Sequence, residues 1–323
     1  MNAPANLTDE LAFRASVVGA SEVAALFDES PYLTHFELWH RKKGTIDTPE
    51  FDAIGADGTP ENERIYWGVR LEAAIIEAAK DRYGYTDREQ VDRLTNGRGL
   101  GGHPDRRVIC PTRGPGILEV KTVDWLQRRS WGEEPPLHYL LQNIAYQGLD
   151  GVTWGDVIVL VGGNKLERFQ YEFRPKVYAE IERRVDAFWQ SIEADRAPSP
   201  DYQRDGETLA TIYRDIGLEK IDLAGDNLAA AAAAEYQAAS ADESAAKKRK
   251  DAAKAELIHK IGSAAGTAGE LPPAKRVLAT LPGFTVSATL IDEIPDRAAE
   301  PGEIIKGRSA YRRLTLKETN DGK

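Results

Sequence analysis

Three polar side chains, Asp105, Glu119 and Lys121, have the types and spacing that metal-assisted cleavage of a phosphodiester would need. Asp105 follows a proline, and Glu119 and Lys121 flank Val120 in an apolar run. Because alternate residues of a strand share a face, Glu119 and Lys121 should point the same way. A hairpin through residues 113–116 would return Asp105 to the side of Glu119. The two carboxylates could then hold Mg²⁺, with the ammonium beside the attacked phosphate.

Each of these residues also has an ordinary interpretation. Asp105 after a proline could be a simple turn residue. Glu119 and Lys121 could form a surface ion pair, which contributes only about 0–1 kcal/mol. The apolar residues around them instead indicate a strand with both faces covered, where an idle charge would be costly. We therefore treat the three residues as a candidate site.

Composition limits the class of protein. The chain has 323 residues, of which 41% are apolar and 29% charged, as is ordinary for a globular protein. We expect no membrane span, because no apolar run approaches ~18 residues, and no secretory signal, because the first residues lack a basic region followed by an apolar stretch. The single cysteine, Cys110, fits a reducing cytoplasm. The net charge of −10 argues against loose binding of nucleic acid over the whole surface, but it leaves room for a local basic groove.

Two regions of different character follow one another along the chain. Residues 1–200 alternate helix-like and strand-like segments and predict one core, which ends at Ala-Pro-Ser-Pro. Residues 201–323 predict an appendage, with Ala- and Lys-rich helices at 227–261 and strands within 275–316. Within the core, Ser21 and Thr34 are candidate N-caps of two short helices, the second ending before Gly44.

Helical periodicity and alternation predict the remaining elements of the core. A long amphipathic helix is expected over 60–83, and shorter or later helices over 124–133, 136–150 and 175–196. Two or three strands are expected between 98 and 123, and a hairpin from 153–162 and 166–173. The apolar stripe of the long helix is expected at Ile65, Val69, Ala73 and Ile76, widened by Tyr66, Leu71, Ile75 and Ala79.

Three further polar residues lie on these predicted helices. Glu72 lies mid-helix near the apolar stripe, where its carboxylate either reaches outward or serves a buried charge. Gln142 and Tyr146 are one helical turn apart and share a face. By themselves, Gln142 and Tyr146 could be plain residues at the edge of a core, and Glu72 an ordinary surface residue.

Five motifs in order resemble a known family. They are G-A-S-E-V-A-A-L-F-D-E-S-P-Y with E-L-W-x-x-K-x-G, then W-G-V-R-L-E, then Asp105 with Glu-Val-Lys at 119–121, then Gln142-x-x-x-Tyr146, and finally V-I-V-L-V-G-G-N-K-L-E-R-F-Q-Y-E-F. The set resembles the PD-(D/E)xK nuclease superfamily. Within that superfamily it is most similar to the phage lambda-type alkaline exonuclease, or YqaJ-like viral recombinase, family. The motifs span residues 14–189.

The resemblance implies an α/β fold and an activity. The fold would be a restriction-endonuclease-like core, a central mixed β-sheet flanked by helices, with a C-terminal helical and β-hairpin appendage. The activity would be Mg²⁺-dependent hydrolysis of linear duplex DNA from its ends, in the 5′ to 3′ direction, leaving 3′ tails for phage-type recombination. Mn²⁺ could replace Mg²⁺. The family also implies a ring-shaped homotrimer around DNA and a phage single-strand annealing protein as partner.

The resemblance assigns catalytic roles residue by residue. Asp105 and Glu119 would hold the metal, with the Val120 carbonyl as a further ligand, and Glu72 would reach it through a second metal or a water. Lys121 would orient or activate the attacking water and offset phosphate charge.

The remaining roles concern support of the site and the DNA end. Gln142 would hydrogen-bond near Lys121 or the scissile phosphate, and Tyr146 would support Gln142. Arg14 and Ser21 would bind the 5′-phosphate. His103 occupies the position where a small hydroxyl residue can serve the same pocket.

Two other functions stay open. The first is a PD-(D/E)xK endonuclease or nickase that uses the same chemistry without recognising ends. The second is an inactive adaptor that binds DNA ends or an annealing protein through the C-terminal region. The scattered histidines and the single cysteine favour neither structural zinc nor a four-cysteine iron–sulfur cluster.

Overall fold

The chain folds as two compact units, residues 1–217 and 218–323. This computed structural model describes residues 7–48, 59–60, 62–214, 222–266 and 274–293, together with the strand backbones at 297–298, 304–305 and 311–318. The predicted end of the nuclease core at residue 200 stays a prediction. In the described part of the chain, no helix combines the length and the apolar character needed to cross a membrane.

The first unit mixes helices and strands along its length. Its helices are α1 Leu7–Ser16, α2 His35–Lys43, α3 Glu63–Tyr83, α4 Trp125–Ser130, α5 Leu137–Asp150, α6 Pro175–Glu193 and α7 Gly206–Ile212, with a 3₁₀ helix at Val23–Phe27. Its strands are β1 Val18–Gly19, β2 Thr86–Asp87, β3 Leu94–Thr95, β4 Leu100–Gly102, β5 Arg106–Cys110, β6 Gly114–Val123, β7 Trp154–Val161 and β8 Lys165–Glu172. Helix α7 lies between residue 200 and the predicted helices at 227–261, where no helix is predicted above.

A five-stranded mixed sheet with the order β2-β5-β6-β7-β8 forms the centre of the unit. Strands β6 and β7 are parallel, and the other neighbours are antiparallel. Antiparallel pairing of Arg106 with Leu118 brings Asp105, one residue earlier, level with Glu119. The mixed α/β core predicted from the motifs is confirmed.

Helices cover both faces of this sheet. On one face, α3 packs against β5, β6 and β7 through Ile75, Ile76, Ala79, Val108, Leu118, Val120 and Ile158. On the other, α5 and α6 pack with the first segments of the chain through Ile117, Leu141, Ile144, Ala145, Ile181, Val185 and Phe188. Strand β6 is therefore buried on both sides, as its apolar run predicts.

Local signals set several helix ends. The Thr34 hydroxyl accepts a hydrogen bond from the Glu37 amide (3.0 Å) and caps α2, as predicted. Gly44 and Gly84 end α2 and α3 in the left-handed conformation, with φ values of 78° and 71°. The prediction that Ser21 caps a helix is wrong, because Ser21 is exposed and the 3₁₀ helix begins after Glu22 without a side-chain cap.

Two further expectations about position need correction. The turn of the β5–β6 hairpin lies at residues 111–113, since Cys110 already pairs with Gly114. Val69 of the predicted α3 stripe is 63% exposed, whereas Ile75, Ile76 and Ala79 are buried. The apolar face of α3 is therefore packed against the sheet from Leu71 onward.

The second unit contains a long helix and small sheets. Helix α8, Asn227–Ala265, is capped by Asp226, whose carboxylate accepts hydrogen bonds from the amides of Leu228 and Ala229. Strands β9 Arg276–Leu281 and β10 Phe284–Ile291 form a hairpin, and β13 Tyr311–Glu318 pairs with β10 on its other edge. A two-stranded pair joins β11 Arg297–Ala298 and β12 Ile304–Ile305. The predicted helix and the β-hairpin of this region are confirmed.

The double role of Thr34 generates a stability prediction. Its hydroxyl also donates a hydrogen bond to Oδ1 of the fully buried Asp205 (2.5 Å). We expect Thr34→Ala to lower the free energy of unfolding by about 2–3 kcal/mol, because it removes a helix cap and leaves a buried carboxylate short of a donor. Urea unfolding measures the loss. Thr34→Ser keeps the hydroxyl and is the control, so equal stability of the two variants would contradict the assignment.

Candidate active site

The Glu119 carboxylate is the centre of the site. The residue is 1% exposed on β6, and its Oε1 accepts hydrogen bonds from Nζ of Lys121 (2.5 Å) and Nε2 of Gln142 (2.6 Å). The other oxygen, Oε2, is buried and has no hydrogen-bond partner among the described residues. Burial first, and then the charge of Asp105, raise the pKa of Glu119 to about 8. A buried carboxylate with one free oxygen indicates a place for a ligand.

Asp105 stands beside Glu119, as the predicted hairpin requires. Its Oδ2 accepts a hydrogen bond from the Val120 amide (2.6 Å), which ties the residue before β5 to the strand that carries the other two charges. Burial raises the pKa of Asp105, while Lys121 and the Val120 amide act in the opposite direction. Two carboxylates thus compete for one neighbouring cation.

Glu72 reaches the same cluster from α3, the helix on the opposite face of the sheet. It is partly buried, and burial followed by the charge of Asp105 raises its pKa to about 7. Of the two interpretations of Glu72, the structure therefore favours the one in which its carboxylate interacts with the buried charges.

Lys121 is the cation of the cluster. Its ammonium contacts Oε1 of Glu119 and lies 5.2 Å from the ring centre of Tyr139. Although burial lowers the pKa of Lys121, the carboxylates of Glu119 and Asp105 outweigh it and raise the pKa above its ordinary value. The two carboxylates therefore favour the charged form of Lys121.

Helix α5 supplies the amide that holds Glu119. Gln142 and Tyr146 are both buried on the α5 face that packs against the sheet, as their spacing predicts. Burial raises the pKa of Tyr146 well above its ordinary value, and hydrogen bonds from Gln142 and from the His103 backbone act against that rise. The chain Tyr146–Gln142–Glu119 connects the helix to the centre of the site.

The types of donor at the site suit a hard divalent cation, although their arrangement among the described residues does not form a complete metal site. In the described chain, no group of three or more His, Cys, Asp or Glu side chains is arranged to hold a metal ion. One oxygen each of Glu119 and Asp105 is bound by protein donors instead. Nevertheless, three carboxylates face one ammonium, and Oε2 of Glu119 is buried without a partner. Oxygen ligands with excess negative charge are what Mg²⁺ prefers.

Two of the three predicted end-binding residues meet at one acidic oxygen. Nε of Arg14 lies 2.5 Å from Oε1 of Glu10, and Nε2 of His103 lies 3.1 Å from the same oxygen without a hydrogen bond to it. The Ala20 amide donates to the Gly101 carbonyl (2.8 Å) across the β1–β4 pairing, which runs toward Ser21 and His103. Ser21 itself is exposed, and among contacts of the described residues none joins it to Arg14 or His103.

Sequence reasoning missed several neighbours of the site. Tyr139 and His138, in the first turn of α5, lie next to Lys121, and Tyr32 contacts His138. Tyr139 is three residues before Gln142 and so shares its helix face, which was the one available signal. Glu10, between Arg14 and His103, gave no signal beyond its helical spacing from Arg14.

The match to a family model assigns the class of protein, which is a nuclease. Residues 11–148 match the model of the YqaJ-like viral recombinase domain, and this stretch of the chain is therefore similar to that family. The resemblance predicted from the motifs is confirmed, as is the prediction of an enzyme, a hydrolase of the nuclease class. No curated protein matches the chain.

Solved structures with a similar fold are described as exonucleases. An alkaline exonuclease from Laribacter hongkongensis is 20% identical, with 63% of this chain and 100% of that chain covered and a TM-score of 0.46. A phage-related exonuclease from Haemophilus somnus 129PT is 13% identical, with 55% and 94% covered and a TM-score of 0.43. These sequence identities and TM-scores are too low for functional residues to be transferred from either structure.

The carboxylate cluster predicts how stability depends on pH without metal. Folding raises the pKa values of Glu72 and Glu119 to about 7 and 8, so the folded protein binds protons more tightly than the unfolded chain. That stabilisation is complete below about pH 4.5 and is lost as pH rises through 7 and 8. In EDTA, we expect the melting temperature to fall by a few degrees between pH 6 and pH 9.

A matched variant isolates the cause. Glu119→Gln keeps an oxygen acceptor for Lys121 and Gln142 but cannot ionise, so its melting temperature should change less over the same range. Calorimetry in EDTA measures both proteins. Because the lowered pKa of Cys110, about 7, adds stability over the same range in both proteins, the difference between them is the test, and an equal pH dependence in wild type and Glu119→Gln would contradict the electrostatic description.

Proposed function

We propose that this protein is a Mg²⁺-dependent DNA exonuclease that hydrolyses linear duplex DNA from its ends, in the 5′ to 3′ direction, and leaves 3′ single-stranded tails. The observation that carries the proposal is the buried Glu119, whose Oε1 is held by Lys121 and Gln142 while Oε2 has no partner. Ordinary packing would place an apolar residue there, because a buried charge is costly.

The residues that would hold the metal are Asp105, Glu119, the Val120 carbonyl and Glu72, and Mn²⁺ could replace Mg²⁺. When bound, the ion would polarise the phosphate, lower the pKa of water and stabilise charge on the leaving 3′-oxygen. Its two positive charges would also offset the carboxylates that exceed the single ammonium of Lys121.

The chain's own side chains would orient the reactants. The Lys121 ammonium would lie beside the scissile phosphate, where it offsets developing negative charge and orients the attacking water. Gln142 has two amide protons, one of which binds Glu119. It would keep that carboxylate in one orientation, and Tyr146 would hold Gln142 in turn. Activity would be higher at alkaline pH, because the carboxylates must be ionised.

The DNA end would bind where Arg14 and His103 meet Glu10. A terminal 5′-phosphate carries the negative charge that Glu10 now supplies to Arg14, so it could take the place of that carboxylate. Ser21 would join through its hydroxyl on an exposed segment next to the paired strands β1 and β4. Recognition of a terminal phosphate would restrict the enzyme to ends.

The assembly and setting complete the proposal. The protein would form a homotrimer around duplex DNA, act with a phage single-strand annealing protein, and work in the cytoplasm of the host cell. Residues 201–323 would be an appendage outside the nuclease core.

The first test is digestion of end-labelled linear duplex with Mg²⁺. We expect wild type to release 5′ nucleotides and Lys121→Ala to be slower by at least about 100-fold, because a charge that stabilises the transition state is lost. Lys176→Ala, at an exposed lysine of α6, is the matched control and should retain wild-type activity.

Different results would overturn different parts of the proposal. Inert wild type, or Lys121→Ala as fast as wild type, would remove the catalytic assignment. Cutting of covalently closed circular duplex would instead favour the endonuclease or nickase. Activity that survives EDTA would contradict the proposed requirement for a metal ion.

The end pocket gives a separate prediction. We expect wild type to prefer 5′-phosphorylated over 5′-hydroxyl ends by about tenfold or more, and Arg14→Ala to lose that preference, because a charge-assisted contact is removed. Glu10→Gln should strengthen binding of phosphorylated ends, since it removes the competing negative charge. Initial rates on the two substrates provide the measurement.

Arg183→Ala is the control for this test, because Arg183 also pairs with a glutamate of its own helix. A preference for phosphorylated ends that survives in Arg14→Ala would refute the pocket. Weaker binding by Glu10→Gln would mean that Glu10 positions Arg14 and does not compete with the phosphate.

A further inference from the structure

A row of aromatic rings leads from the catalytic lysine to the surface. The Lys121 ammonium lies 5.2 Å from the ring centre of Tyr139, Tyr139 lies 4.1 Å from His138, and His138 lies 5.8 Å from Tyr32. Tyr139 is buried, His138 is half-buried and Tyr32 is 69% exposed. The row is thus anchored in the core at one end and open to solvent at the other.

The three rings come from two separate segments. Tyr32 follows the 3₁₀ helix, in the loop before α2, whereas His138 and Tyr139 lie in the first turn of α5. Tyr32 meets His138 edge to face, at an interplanar angle of 87°, so a ring edge makes the contact. Contact through an edge, together with the high exposure of Tyr32, leaves ring surface for another flat group.

His138 provides an independent sign of a missing ligand. Its Nε2 is buried and has no hydrogen-bond partner among the described residues. Burial, followed by the charge of Lys121, lowers the pKa of His138 to about 4, so its imidazole is uncharged at neutral and alkaline pH. A buried, neutral, unpartnered ring nitrogen beside a catalytic lysine calls for a polar group on a ligand.

We propose that Tyr32, His138 and Tyr139 form a binding site for an unpaired nucleobase, that of a nucleotide next to the scissile phosphate. The base stacks on the exposed ring of Tyr32, and His138 Nε2 hydrogen-bonds to the same nucleotide. This rests on the proposed function in one respect, that the substrate is DNA.

Physical chemistry favours a base over other ligands at this place. Stacking on an aromatic ring is available to every base and needs no particular sequence, which suits an enzyme that degrades any strand. A phosphate at the exposed end of the row would meet an uncharged imidazole and phenol rings, because the Lys121 ammonium lies at the buried end, beside Tyr139. The base must be unpaired to stack, so the row also favours a strand whose terminal pair has opened.

The test compares DNA ends with and without a base. Substrates carry an abasic site at each of the first three positions of the cleaved strand in turn. We expect wild type to cleave one of these substrates about tenfold more slowly than normal DNA, because the stacked base is missing. Tyr32→Ala should cleave that abasic substrate and normal DNA at similar rates. Tyr32→Phe keeps the ring and loses only the hydroxyl that hydrogen-bonds with Tyr139, so it should keep the preference for normal DNA.

A binding measurement keeps the test independent of catalysis. Fluorescence of 2-aminopurine at the same three positions is recorded with Ca²⁺ in place of Mg²⁺. We expect wild type and Tyr32→Phe to quench it at one position, and Tyr32→Ala to lose that quenching. Tyr236→Ala, at an exposed tyrosine of the second unit, is the control and should match wild type.

The outcomes separate this inference from the proposed function. Hydrolysis by wild type that is indifferent to base removal at all three positions would overturn the stacking site and leave the exonuclease intact. Absence of nucleotide release would overturn the proposed exonuclease function. The fluorescence measurement alone would then test the proposed stacking site. Equal quenching by wild type and Tyr32→Ala would also overturn the stacking site.

Discussion

The structure depends on burying the Glu119 carboxyl group, whose pKa is raised to about 8. An ionised carboxylate removed from water costs several kcal/mol unless nearby donors compensate it. Lys121 from the same strand and Gln142 from α5 provide that compensation on one oxygen. The hairpin then adds a second carboxylate, Asp105, beside the first. Strand β6, its hairpin partner and helix α5 must therefore be held in register for the buried carboxyl groups to be tolerated at all.

Apolar packing around the site supplies the stability that the charged site itself does not provide. Three carboxylates share one lysine, and the raised pKa values of Glu72 and Glu119 show that their charged forms are disfavoured in the folded protein. The buried side chains of α3 on one face of the sheet, and of α5 and α6 on the other, hold β6 in place. A site that disfavours its own charges is suited to binding a cation, at a cost in stability that the core offsets.

Local chemistry explains which features could be predicted. Alternation along a strand placed Glu119 and Lys121 on one face, and a hydroxyl before the helix identified Thr34 as a cap, because both effects involve near neighbours in the chain. Ser21 satisfied the same rule for a cap, yet a 3₁₀ helix forms there instead. Val69 fits the helical period but is exposed. Periodicity defines the apolar stripe of a helix, but it does not define how much of that stripe the sheet covers.

The sequence by itself determined the residue types of the site, the order of its motifs and the face shared by Glu119 and Lys121. Only the tertiary structure decided that Tyr32 lies against His138, and that Glu10 lies between Arg14 and His103. Those contacts join segments far apart in the chain, where no period or cap relates one residue to the other. Their geometry follows from how the two faces of the sheet are packed, and that packing is a property of the whole unit.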